Sequence, residues 1–388
     1  MKIYQQAGHN TNWNLESLEQ DGAGDGIIFS PVHYKKDNMV GVASTIKEKS
    51  LFDPQFYIPD SQKAKLHSYD FFPEKITDGF STVSFEAIAH KAAEQCLAFQ
   101  LENNYEAIII PARYYSDLVT DYIEKQKAFS VEPFLNEISR LGVKKDIFVS
   151  LPITVKMTQD RAYRLALLNW ITSYPEIQGV YLLNDINEST KQIRTYEVLN
   201  SYIDFILDLN GAGLKTILGY CNTESILLST IMPYAVTIGA YENTRNFSVD
   251  KFLQDDSDKR GPAPRVYMPK LLNWVRYDTV KEIKDDLPTL WEKIYTPTTH
   301  MESLFDLGER PTFNKPGLYK HHFQLINSQL KELSALDRLQ RIASVESMIE
   351  DASSLYREIK EAKVMFFDDN CEGLHLPVWN RIVRKIKS

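Results

Sequence analysis

The feature that most constrains this chain is a series of short, nearly uniform apolar runs separated by amphipathic stretches. Ala107, Ile108, Ile109 and Ile110 form one such run, and Ile147, Phe148 and Val149 another. Neither shows polar alternation, so both faces of each strand need covering, as in a parallel sheet flanked by helices. Candidate strands fall at residues 26–30, 51–57, 106–111, 146–152, 179–183, 215–219, 235–239 and 265–271. Helical spacing fills most of the gaps, at 84–102, 131–141, 158–174 and 196–210, with a short helix after Asn222. Gly142 follows one of these stretches as a C-terminal cap.

Strands that alternate with helical crossovers predict a TIM-like (β/α)8 barrel. Its first crossover, at 34–50, reads as a loop or short hairpin instead of a helix. The rival is an open doubly wound sheet, but neither GxGxxG nor GxxxxGK[ST] occurs. The predicted division is a barrel at 1–294 with a polar N-terminal lead-in, a linker at 295–320, and a helical extension at 321–388. Phe323, Ile326, Leu330, Leu333, Leu336, Leu339, Ile342, Val345 and Ile349 recur at helical spacing in the extension, as one long helix or a helical pair. Strict heptads are not sustained, so packing across the barrel is expected, not a free coiled coil. Trp379, Ile382, Val383 and Ile386 make a last apolar face, also expected to pack, although a partner protein could use these helices.

At 388 residues with 43% hydrophobic and 25% charged composition, the chain can bury a full core and is not disordered. Its formal charge of -8 argues against whole-surface nucleic-acid binding while leaving room for a local basic cleft. Cys96, Cys221 and Cys371 are too dispersed for a zinc motif or disulfide framework. The polar first 26 residues lack a secretory core and no run spans a bilayer, so the expected compartment is the cytosol.

A barrel gathers residues from the C-terminal strand ends into one mouth. The polar residues at those positions include His33, Gln55, Asn184, Asn187, Asn222 and Glu224. Asp185 and Glu242 are the first acid/base candidates and Asp53 the third, since glycosidic chemistry uses two carboxyls in different protonation roles. Arg113, Lys156, Arg245, Arg265 and Lys270 suit a phosphorylated or nucleotide-like ligand, nucleic acid included. Tyr57, Tyr114, Tyr220, Tyr241 and Tyr267 offer walls for stacking. Because Tyr114 and Tyr115 are adjacent, only one should face the mouth. The competing explanation is that these charges neutralise one another and the tyrosines wedge loops together.

No cofactor is predicted, although a carboxylate-bound Mg2+ would suit a phosphorylated substrate. The expected reaction is therefore cleavage or exchange of a glycosidic bond in an anionic, nucleotide-like substrate. The alternatives are a non-catalytic binding module and a lyase forming a Schiff base on Lys156 or Lys270.

Overall fold

The computed structural model describes residues 1–76, 82–186, 192–253, 261–366 and 368–387, apart from the side chains of 82–84, 86 and 87. Eight parallel strands form the central sheet: β1 (Lys2–Gln6), β2 (Gly26–Phe29), β3 (Leu51–Phe52), β4 (Ile108–Ile110), β5 (Ile147–Thr154), β6 (Gly179–Asp185), β7 (Lys215–Leu218) and β8 (Ala235–Gly239). Their spatial order is β3-β2-β1-β8-β7-β6-β5-β4. Every strand therefore lies beside its sequence neighbour, and β1 pairs with β8 along its whole length. This is a nearly closed TIM-like barrel. Across the remaining seam, Glu106 N–H donates to the Ser50 carbonyl at 3.0 Å and Tyr114 N–H to the Tyr57 carbonyl at 3.0 Å.

Two strand assignments need correction. The N-terminal lead-in contains β1, whose polar Gln5 and Gln6 are both fully buried. Gln5 Oε1 accepts from Asn14 and Gln5 Nε2 donates to the Ala23 carbonyl, so the cost of burying an amide is offset. Residues 265–271, read as the eighth barrel strand, instead contain β9 (Arg265–Met268). It pairs antiparallel with β10 (Asn273–Arg276) in a separate two-stranded sheet.

The longer helices are α1 (Thr11–Gln20), α2 (Thr82–Glu102), α3 (Glu132–Leu141), α4 (Arg161–Thr172), α5 (Tyr196–Gly211), α6 (Tyr277–Asp286), α7 (Pro288–Ile294), α8 (Thr299–Asp306), α9 (Pro316–Ser334), α10 (Arg338–Glu361) and α11 (Leu376–Lys387). Gly142 caps α3 in the left-handed conformation, with φ of 62°. The crossover from β1 is the regular helix α1. Residues 34–50 instead link β2 to β3 and hold two short helices, Lys36–Val40 and Ser44–Lys47.

Residues 321–361 are a helical pair, α9 and α10. Asp337 breaks it with a capping box: its carboxylate accepts from Gln340 N–H at 2.9 Å, and Gln340 Oε1 accepts from Asp337 N–H at 3.2 Å. α9 packs against α1 and β8, the position of the barrel's eighth helix. Arg341 ties α10 to the barrel by donating to the Ser229 carbonyl at 3.0 Å, while also bonding the Ser334 and Leu336 carbonyls at the end of α9. Trp379, Ile382 and Val383 of α11 are buried, as the apolar face requires. Among the described residues, no helix is long and apolar enough to cross a membrane.

Candidate functional site at the barrel mouth

The C-terminal strand ends converge on a buried polar network centred on Asp53. Asp53 follows β3, and its N–H donates to the Phe29 carbonyl at 3.1 Å, which fixes its place beside β2. Its Oδ1 accepts from Tyr57 OH at 2.8 Å and from Gln55 N–H at 3.1 Å. Its Oδ2 is buried with no hydrogen-bond partner among the described residues. Burial pushes the Asp53 carboxyl up to about 7, outweighing the hydrogen bonds and Lys251, which favour the charged form.

Gln55 holds this arrangement in a left-handed conformation, with φ of 60°. Its side chain donates to Ser30 Oγ at 2.5 Å and Tyr220 OH at 3.4 Å, and accepts from Val32 N–H at 2.9 Å. Tyr220, just past β7, is also left-handed at φ of 56°. Two non-glycine residues in this sparsely populated region indicate that side-chain bonds override local backbone preference at the mouth. Deeper in the barrel, Tyr181 OH donates to Gln6 Oε1 at 2.8 Å.

An aromatic plug closes the space above Asp53. Phe247 is buried with ring centroids 5.2 Å from Tyr57, 5.4 Å from Tyr220 and 6.2 Å from Tyr114. Three of the tyrosines expected to stack on a ligand therefore contact the chain's own phenylalanine. Beside it, Lys251 places its ammonium 3.6 Å from the Tyr220 ring centroid and donates to the Asn243 carbonyl at 3.0 Å. Lys251 keeps partial solvent exposure, yet desolvation by these aromatic walls lowers it to about 7, with Asp53 opposing the shift. His33 faces the same charges. Burial first, then Lys251 and Lys65, pushes its imidazole down to about 3, and its Nε2 is buried without a partner among the described residues.

A second cluster lies beyond β6, β7 and β8. Arg245 is buried with its guanidinium 3.8 Å from the Trp274 ring centroid, and its Nε and Nη1 have no hydrogen-bond partners among the described residues. Desolvation lowers Arg245 to about 10. Glu224 Oε1 accepts from Asn222 N–H at 2.9 Å, whereas its buried Oε2 has no partner among the described residues. Burial raises this carboxyl to about 7, against the opposing pull of hydrogen bonds and Arg245. Arg245, Glu224 and Asn184, whose side-chain amide is also unpartnered among the described residues, line a cavity of about 20 Å³, room for about one water.

The remaining candidates divide between rim, hairpin and surface. Asp185 accepts from Tyr114 OH at the rim. Tyr115 turns away to Tyr122, so only one of the adjacent tyrosines faces Phe247. Arg113 lies over Tyr115, with ring centroid and guanidinium 5.4 Å apart. Glu242 is half-buried, 3.8 Å from Arg265. Arg265 belongs to the hairpin; it pairs with Asp368 and donates to Cys371 Sγ at 3.1 Å. Tyr241 bonds Asn10 and Asn314 and packs near Trp13 and Tyr319, away from the Asp53 network.

Three assignments stand apart from the Asp53 network. Lys156 is exposed and paired with Asp117. Lys270 lines a separate groove with residues of α7, α9 and α10. Tyr267 is buried against His322 and donates to Gln329 of α9 at 2.7 Å. The last two were misplaced because their strand belongs to the hairpin. Asn187 lies outside the described residues.

Phe247 and Lys251 were missed because they sit after β8 in a loop and one short 3-10 turn (Val249–Phe252), where periodicity carries no signal. Glu224 was visible beyond β7, but its burial was not. Among the described residues, no three His, Cys, Asp or Glu side chains come together as a metal site. No protein-family model matches the chain, and the search of curated proteins found no similar sequence.

Proposed function

We propose that this chain is a barrel enzyme that cleaves or exchanges a glycosidic bond in an anionic, nucleotide-like substrate. The observation supporting this reading is the pair of buried carboxyls, Asp53 and Glu224. Each lies past a strand end, has an oxygen with no partner among the described residues, and is raised to about 7. A carboxyl that titrates near neutrality can protonate a leaving base; one that is ionised can stabilise the oxocarbenium-like centre or activate water.

In this reading Arg245, stacked on Trp274, receives the anionic oxygens through its unpartnered N–H groups. Asp185 and Glu242 at the rim orient substrate hydroxyls, and Arg113 adds positive charge. The substrate displaces Phe247 and takes its place against Tyr57, Tyr114 and Tyr220. Mg2+ would serve only as a companion of the substrate phosphate.

The test is base release or exchange from nucleoside phosphates and RNA, followed chromatographically. Asp53→Asn and Glu224→Gln should each reduce turnover by about 100-fold or more while the fold is retained. Nucleic-acid binding with steep salt dependence and no turnover would overturn the enzyme reading. Unchanged turnover in both variants would overturn the residue assignment.

A further inference from the structure

Lys251 differs from the lysines that pair with carboxylates. Lys2, Lys156, Lys215 and Lys385 each meet a carboxylate. Among the described residues, none lies within ion-pair distance of Lys251. Its Nζ rests 3.6 Å from the Tyr220 ring centroid, with Phe247 and Phe252 at 5.5 and 5.7 Å. Its one hydrogen bond among these residues runs to the Asn243 carbonyl. The groups facing it are Asp53, His33 and the phenol of Tyr220, and burial holds His33 neutral. The aromatic faces attract the ammonium while stripping water from it, and this loss of water favours the neutral amine. Lys251 nevertheless remains partly exposed, so a small reagent can reach it.

We propose that Lys251 is a nucleophile that forms an imine with the anomeric carbon of an anionic sugar. The sugar identity rests on the glycosidic reading above. The neutral amine attacks this carbon, forming the N–C bond as the carbon–base bond breaks. The electron pair leaves with the base, which takes a proton from the Asp53 carboxyl. The carboxylate then recovers a proton from the alkylated amine. Ring opening follows: the nitrogen lone pair forms C=N, and the departing ring oxygen takes that proton from Asp53. Water later adds to the imine, releasing the sugar and regenerating the amine. No external oxidant or reductant is required.

The experiment uses the full chain, ribose 5-phosphate as the aldehyde source, and cyanoborohydride to reduce the imine, with adducts located by peptide mass spectrometry. One dominant adduct on Lys251 is expected near neutral pH. Its formation rate should level off above about pH 7, while surface lysines continue to gain reactivity towards the ordinary lysine range. Lys251→Met should lose this adduct while retaining its circular-dichroism spectrum. Adducts spread over exposed lysines, with Lys251 no more modified than the rest, would overturn the proposal. Loss of base release in Asp53→Asn, without trapping at Lys251, would overturn the covalent step and leave the glycosidic reading standing. Trapping at Lys251 without base release from any nucleotide would support the nucleophile and overturn that reading.

Discussion

Replacing Asp53 by Asn changes charge with little change in shape, and so isolates the electrostatic cost of the mouth. Folding raises the Asp53 carboxyl from 3.8 to about 7, because desolvation outweighs Tyr57, the Gln55 N–H and Lys251. The unfolded chain therefore releases this proton first. Between those values the native state holds more protons, and native stability falls as pH rises through the window. At about 1.4 kcal/mol per pH unit, the full penalty is about 4 kcal/mol, of which about 3 kcal/mol develops above pH 5. Asn lacks this ionisation, and its carbonyl can still accept from Tyr57 and Gln55.

The unfolding free energy of Asp53→Asn relative to wild type should therefore shift by about 3 kcal/mol in the variant's favour between pH 5 and pH 8. Urea unfolding followed in parallel by tryptophan fluorescence and circular dichroism measures this, provided the transitions coincide. A difference that does not change with pH would refute the claim that Asp53 is held in its proton-binding range by burial.

Further outcomes follow from the same geometry. Lys251→Met should gain on wild type as pH falls from about 10 to about 7, because the native state penalises the ammonium that the unfolded chain accommodates. The thermal midpoint across that range checks the sign. Phe247→Ala should cost about 3 kcal/mol by removing a buried ring, yet speed trapping at Lys251 by unblocking the mouth. Denaturant unfolding and adduct kinetics test the two effects separately. Arg245→Met keeps an apolar stem against Trp274 while removing a desolvated cation, so stability should hold within about 2 kcal/mol as phosphate-ligand binding is lost. Calorimetric titration with a nucleoside phosphate reads the loss. Arg341→Ala removes donors to three carbonyls and should cost about 3 kcal/mol, measured by chemical unfolding.

Much of the barrel could be read from local pattern. Ile108, Ile109 and Ile110 demand cover on both faces, and the helices around Phe85 and Phe134 supply their own apolar sides. β1 escaped that reading because Gln5 and Gln6 look exposed in a linear chain; buried partners from distant positions make them compatible with the sheet. Residues 265–268 show the opposite problem. Their apolar pattern says that a strand will be buried, but only pairing with 273–276 decides which sheet receives it.

The same distinction governs the mouth. Asp53 is legible as a carboxyl past a strand end, whereas its raised pKa depends on burial and on Tyr57 and Gln55. No local pattern joins Phe247 and Lys251 to Tyr220, because their contacts form only when the loop after β8 folds back over the barrel. By itself the sequence determined an alternating strand-and-helix chain with polar groups collected at one end. Tertiary structure decided which of those groups lose water and which find partners. Desolvation and pairing, which set their chemistry, are properties of three-dimensional neighbours and not of residue order.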